Sequence, residues 1–214
     1  GSGIPDYRGP NGAYARGHQP MTYQDFLRHE AARRRYWARS HAGWTTFSRA
    51  RPNAAHVAIA HMEQGGFVDA VITQNVDRLH QSAGSDHVID LHGRLDHVIC
   101  LNCGAMQDRK EVHERLVEVN PDFSTHVEGI NPDGDYEISD EQLANFHIVS
   151  CSRCDGILKP DVVYFGESVP VPRVNTAFEL VNQSSTLLVL GSSLMVYSGR
   201  RFVELAHKNG KTDR

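Results

Sequence analysis

Four cysteines, one histidine at a strand end and three short polar segments are the residues of this 214-residue chain whose types and spacing could do chemistry. The cysteines form two pairs, Cys100-Leu-Asn-Cys103 and Cys151-Ser-Arg-Cys154, separated by 47 residues. A two-residue gap lets both sulfurs of one turn point at a common centre, and two such turns complete the tetrahedral set that Zn²⁺ prefers. All four ligands are thiolates, which leaves no open position for water and marks the metal as structural. The separation is longer than in an ordinary ribbon, but loop-closure entropy grows only by about 0.6 kcal/mol per doubling of length. A redox dithiol or unrelated buried thiols are the competing readings of the same residues.

The polar segments are each weak alone. Gly3-Ile4-Pro5-Asp6-Tyr7-Arg8-Gly9 fixes a loop that presents an acid, an aromatic and a base together, and an ordinary surface turn has the same composition. Thr73-Gln74-Asn75-Val76-Asp77 follows an apolar, β-branched run, where amide and acid side chains can bond a ribose or an amide without adding bulk. A polar helix cap reads equally well there. Leu190-Gly191-Ser192-Ser193 also follows an apolar run, and small residues there let backbone N–H groups approach a phosphate at the next helix. His92, in Leu91-His92-Gly93, ends a short strand and can act as a general base near neutral pH. It is one of 13 histidines, so only its neighbours single it out.

These residues need elements to position them. Thr22, with Asp25 placed for a capping box, predicts a helix to about Arg39. A second helix is expected from Pro52-Asn53 to Gly65-Gly66, a glycine stop signal. Strands are expected at Phe67–Thr73 and Val88–Leu91, and residues 95–100 lead into a separate module holding the first cysteine pair. Helices near 108–118 and 139–146 fall inside that module. The pattern then returns to alternation: a strand near Val162–Phe165, a helix at 173–183, a strand at Thr186–Leu190 and a helix from about Gly199. Strands alternating with helices imply a Rossmann-like α/β fold with a parallel sheet, helices on both faces and ligands at the strand C-terminal ends. The expected division is a Rossmann-like domain of residues 1–96 and 158–214, with a zinc-binding module of residues 97–157 inserted in it.

Composition sets bounds. With 40% hydrophobic and 22% charged residues the chain is ordinary globular material. A net charge of −4 gives no reason to expect nucleic acid. The clusters at Asp133–Asp135 and Arg33–Arg35 read as a solvated loop and a solvated helix face. No apolar run is long enough for a membrane span and no signal segment opens the chain, so it reads as a cytoplasmic monomer. Gly1 to Pro5 form a loop with no strand before it and Lys211 to Arg214 close nothing, so the sequence looks cut at both ends.

Taken in order, GIPDYRG, TQNVDRLHQSAG, LHG, CxxC…CxxC, KPDVVYFGE and GSS resemble the sirtuin family over nearly the whole chain, from Gly3 to about Leu205. RRYWAR, PNAAH, CLNCG, NPDGD and GSSLMVYSG are similar to its class II branch. The resemblance implies an NAD-dependent protein-lysine deacylase, a transferase that releases nicotinamide and yields free lysine and O-acyl-ADP-ribose. It implies that Ile4 and Asp6 line the nicotinamide pocket, that Asp77 holds the nicotinamide amide, and that Tyr7 and Arg8 cover the cofactor. Gln74 and Asn75 would contact the ribose, Gly191, Ser192 and Ser193 would bind further along NAD, and His92, with Asn75 beside it, would serve catalysis as the base. Val163, Tyr164, Phe165, Gly166 and Glu167 would pair edge-on with an acylated lysine peptide. Cys100, Cys103, Cys151 and Cys154 would hold one structural Zn²⁺. A eukaryotic source would put the protein in the mitochondrial matrix.

Tyr36 and Arg39 share a helix face at i and i+3. In sirtuins that remove dicarboxylic acyl groups such a pair binds the acyl carboxylate, whereas a packed Tyr36 with Arg39 in water reads equally well, so acyl preference stays open. Two further classes compete with the deacylase: a zinc-stapled module that binds acylated peptides without turnover, and a zinc ribbon that binds nucleic acid. Protein ADP-ribosyltransfer is an alternative activity at the same site.

Overall fold

Thr22 opens the first helix as its spacing predicts: its Oγ1 accepts from the Asp25 amide at 3.1 Å and stands 2.6 Å from the Asp25 carboxylate. The computed structural model describes residues 2–4, 20–123, 138 and 140–213. In chain order the elements are α1 (Tyr23–Arg28), α2 (Glu30–Phe47), α3 (Ala54–Gln64), β1 (Val71–Thr73), α4 (Leu79–Ser82), β2 (Val88–Asp90), β3 (Gly93–Cys100) and β4 (Met106–Asp108). There follow α5 (Arg109–Val119), α6 (Asp140–Ala144), β5 (Leu158–Val162), α7 (Val171–Gln183), β6 (Thr186–Leu187), α8 (Tyr197–Lys208) and β7 (Thr212–Asp213). They group into two units, residues 1–53 with 94–167, and residues 54–93 with 168–214.

In the first unit, the single helix expected from Thr22 is two helices. His29 is extended, at φ −121° and ψ 116°, and Arg33 donates to the Phe26 and Leu27 carbonyls that the break exposes, at 2.9 and 3.0 Å. A local cap thus began the helix, and a side chain one turn beyond rewarded ending it. Strands β4, β3 and β5 form a three-stranded sheet in that order, with β3 and β4 antiparallel. The ladder in β5 runs from Leu158 to Val162, not from Val162 to Phe165, and includes the buried Pro160. A proline is tolerated there because β5 is an edge strand. Trp37 of α2 donates through Nε1 to the Leu158 carbonyl at 3.2 Å. Arg109, 1% exposed, lies between the Trp37 and Trp44 rings at 5.2 and 4.7 Å. His41 and His113 stack nearby, ring centroids 4.5 Å apart. Burial first, then for His41 the His113 ring and for both the Arg109 charge, push His41 down to about 3 and His113 to about 4, so both are neutral in the folded chain.

In the second unit, β1 and β2 pair in parallel, Val71 opposite Val88 and Thr73 opposite Asp90, and β6 pairs in parallel with β7. Helix α7 packs on β2, and α8 on β6 and β7. Leu91, Ala177, Val181, Phe202 and Ala206 form the buried core, with Ile72, Ile89 and Leu187 against it. Both expected strands are shorter than their apolar runs. Phe67 and Val68 donate to the Met62 carbonyl and finish α3 instead, leaving Phe67 83% exposed. The β6 ladder covers only Thr186 and Leu187. Lys211 donates through Nζ to the Val181, Asn182 and Ser184 carbonyls and so closes the C-terminus of α7.

Candidate active site and metal centre

The four cysteines converge. Their sulfurs all lie within 4.8 Å of one another, with Cys100 to Cys154 at 3.5 Å and Cys103 to Cys151 at 3.9 Å. A tetrahedral Zn²⁺ with Zn–S bonds of about 2.3 Å sets its sulfurs about 3.8 Å apart, so the donor set fits the ion. Each CxxC turn is wired alike. The residue four beyond the first cysteine donates to that cysteine's carbonyl at 2.9 Å, Gly104 to Cys100 and Asp155 to Cys151. The first cysteine's amide donates to the carbonyl five residues on, Cys100 to Ala105 and Cys151 to Gly156, again at 2.9 Å. Both turns therefore need a left-handed residue, which Gly104 at φ 70° and Asp155 at φ 61° supply. A Cβ on Gly156 would come 2.6 Å from the Asn102 side chain, so glycine lets the two turns close on each other.

In the second unit the parallel pairing of β1 and β2 brings their C-terminal ends side by side. Leu91 donates to the Thr73 carbonyl at 2.9 Å, which sets His92 beside Gln74. His92 Nδ1 lies 3.2 Å from the Gln74 carbonyl oxygen and Nε2 lies 2.7 Å from Ser198 Oγ. A carbonyl only accepts, so Nδ1 carries the hydrogen and Nε2 offers its lone pair. Burial holds the imidazole below its usual 6.5, opposed by the bond to Gln74 and aided by the charge of Arg201. The ring is thus a neutral base. Gln74 donates through Nε2 to Ser192 Oγ at 3.1 Å, so two of the three polar segments meet. Asn75 is exposed, and Asp77 Oδ1 accepts from the Leu79 amide at 3.0 Å, just ahead of α4. Gly191 and Ser193 are exposed. Asp90, next but one before His92, accepts from Arg78 and from Gln81, the latter at 3.0 Å, which pins the strand end that carries the base.

The Val163–Glu167 segment lies in the first unit as a clamped turn. Glu167 Oε2 accepts from the Tyr164 amide at 2.9 Å and from Lys159 Nζ at 3.0 Å, while Lys159 also donates to the Val162 carbonyl at 2.6 Å. Tyr23 donates to the Phe165 carbonyl at 2.9 Å and Gln24 to that of Gly166 at 3.0 Å. These groups are committed within the chain. Tyr36 is buried against Phe26, Trp37 and Tyr164, with the Tyr36 and Tyr164 rings 5.4 Å apart, and Arg39 is half-buried. Ile4 is half-buried, and Asp6, Tyr7 and Arg8 lie outside the described residues.

Two polar partners escaped the reading of the sequence. Ser198 is the second residue of α8, five positions beyond the small-residue turn Gly191-Ser192-Ser193, and a hydroxyl in the first turn of the helix after that turn was the available signal. Lys159 sits in the same run as its partner Glu167, and a lysine inside an otherwise buried strand was the clue.

A model of the Sir2 family matches residues 1–198. The chain is 59% identical over 210 residues to NAD-dependent protein deacetylase 1 of Streptomyces coelicolor, covering 98% of this chain and 70% of that one. It is 47% identical over 225 residues to NAD-dependent protein deacylase SRT2 of Arabidopsis thaliana, covering 97% of this chain and 60% of the relative. Among solved structures, a Sir2 with a p53 peptide and NAD⁺ superposes with a TM-score of 0.73 at 30% identity, over 99% of this chain and 74% of the other. A Sir2 bound to a propionylated peptide gives 0.70 at 28% identity, over 94% and 75%. The second unit's parallel pairs and packed helices are thus parts of a Rossmann-like α/β fold.

Proposed function

The chain belongs to the Sir2 family of NAD-dependent protein deacylases, and from that premise we propose how its residues divide the removal of acyl groups from protein lysines. The observation that carries the reading is the neutral His92, held at both ring nitrogens beside Gln74 and Ser192. NAD supplies, when bound, the ADP-ribosyl group that receives the acyl group and the nicotinamide that leaves. The donor set of the second unit, a carboxamide, hydroxyls and an unprotonated imidazole, has the chemistry to hold a ribose. Gln74 and Asn75 orient that ribose, and His92 accepts one of its hydroxyl protons at Nε2. Asp77 holds the nicotinamide amide, with Ile4 and Asp6 lining that pocket and Tyr7 and Arg8 covering it. Gly191, Ser192 and Ser193 bind further along the dinucleotide.

The acylated lysine peptide pairs with the Val163–Glu167 segment, whose shape Lys159 maintains. Tyr36 lines the acyl end through its contact with Tyr164, and Arg39 stands one turn along on the same helix. The zinc closes the two CxxC turns and takes no part in the chemistry. On this division residues 1–96 and 158–214 serve the cofactor, and the module of residues 97–157 holds the zinc. A monomer acting in the cytoplasm without nucleic acid belongs to the same reading, supported by the bacterial relative and the net charge of −4. Among the described residues no helix is long and apolar enough to cross a membrane.

The test is mass-spectrometric detection of O-acyl-ADP-ribose from NAD and acyl-lysine peptides, with acetyl, long-chain, lipoyl and dicarboxylic forms. Product that disappears in His92→Ala is expected. The preferred acyl group decides what Tyr36 and Arg39 recognise, and no product from any peptide sinks the reading.

A further inference from the structure

We propose that Ser198 is a positioning residue for His92, holding the base in its working tautomer and staying bonded to it on both sides of the proton transfer. The proposal rests on the reading of His92 as the base. Ser198 is the second residue of α8, and its Oγ lies 2.7 Å from His92 Nε2. Because Nδ1–H is directed at the Gln74 carbonyl, Nε2 has only a lone pair, and Ser198 must be the donor. The ring is therefore suspended at two points, from β1's outgoing loop and from the first turn of α8.

Nothing holds Ser198 loosely. Arg201 donates through Nε to the Ser198 carbonyl at 3.0 Å, which fixes the backbone that carries the hydroxyl. At Gly199 a Cβ would come 2.8 Å from the Gln74 side chain, so the turn carrying Ser198 passes as close to Gln74 as a backbone can. Gln74 in turn donates to Ser192 Oγ, which also accepts from the Leu194 amide at 3.2 Å. Ser198, His92, Gln74 and Ser192 thus form one connected chain of polar contacts across the second unit.

The chemistry follows from the hydroxyl's ability to rotate. Before reaction Ser198 donates to Nε2 and keeps the lone pair directed outward from the Gln74 bond. An arriving ribose hydroxyl replaces it as donor, and its proton passes to Nε2. The N–H so formed then donates to Ser198 Oγ, a charge-assisted bond stronger than the one it replaces. No bond within Ser198 is broken. The one proton moves from the substrate oxygen to the ring nitrogen.

Ser198→Ala, Ser198→Thr and wild type are compared by ¹⁵N NMR of histidine-labelled free protein, titrated with pH and without NAD or peptide, with His92→Gln to assign the signal. In Ser198→Ala the His92 Nε2 resonance is expected to move downfield, toward an unbonded ring nitrogen, and the ring to titrate at lower pH because its cation has lost an acceptor. With NAD and an acetyl-lysine peptide, kcat is expected to fall about tenfold while KM for NAD stays within about twofold. Ser198→Thr restores both. If Ser198→Ala does not fold, Ser198→Cys, a weaker donor of similar shape, gives the same comparison. An unchanged Nε2 resonance with unchanged kcat overturns the proposal, as does a Ser198→Thr that keeps the hydroxyl yet fails to restore the signal. Absence of product in wild type counts against the deacylase reading alone, because the NMR comparison involves no substrate.

Discussion

In the proposed reaction His92 works only while its Nε2 is unprotonated, and its surroundings favour that state. Burial and the charge of Arg201 set its proton affinity below the usual 6.5. Since the base must be neutral in the free enzyme, kcat/KM is expected to be flat above pH 6.5 and to fall on an acid limb below that value, read from initial rates between about pH 5 and 8. Arg201→Gln removes one cause of the depression and should move the limb to higher pH. A limb centred above 6.5 in wild type contradicts this account. Among 13 histidines only the company of Leu91 and Gly93 after a strand marked this one in the sequence. The contact that completes its setting, Ser198, is 106 residues away and depends on how α8 approaches Gln74, which no local pattern encodes. Glu167 shows another contact the sequence does not encode: its carboxylate turns inward to Lys159 and to the Tyr164 amide of its own segment.

Elements were legible where a local signal both started and stopped them. Helix α3 begins after Pro52-Asn53 and ends before Gly65-Gly66 as expected. The break between α1 and α2 was not legible, because Arg33 stabilises it by bonding carbonyls that an unbroken helix would already have satisfied. Strand lengths failed for a related reason: an apolar run marks what can pair, while the partner decides how much does. The CxxC turns were fully legible as ligands, and their shared wiring predicts where they are fragile. Gly156→Ala forces a Cβ into the Asn102 side chain and should lower stability by about 1–3 kcal/mol, measured by thermal unfolding. It should also speed zinc loss to a colorimetric chelator. Asn102→Gly in the same chain removes the obstructing side chain and should recover most of the zinc retention. Equal chelation rates for Gly156→Ala and wild type would show that the turns do not press on each other.

For the whole molecule, the first unit carries two features that couple its stability to the medium. His41 and His113 are neutral when folded and take up protons near 6.5 when unfolded, so the unfolded chain binds more protons as pH falls. Their contribution is present above pH 6.5 and is lost progressively below it, on the order of 3 kcal/mol by about pH 4 for the buried His41 alone. His41→Phe keeps an aromatic ring that cannot charge, so its melting temperature should fall less between about pH 7.5 and 5 than that of wild type; parallel curves would refute the assignment. Removing zinc should unfold or loosen the first unit while the second, which contains no cysteine, keeps its core; hydrogen exchange after chelation reads the two apart. The metal joins turns whose facing cysteines, Cys103 and Cys151, are 48 positions apart, and that separation is also an interval of time. A ribosome adding about 5–20 residues per second delivers the first pair roughly 2–10 s before the second. During that wait Cys100 and Cys103 are a half-built ligand set, open to oxidation against each other, so the yield of native protein depends on the redox state of the cell in which it is synthesised.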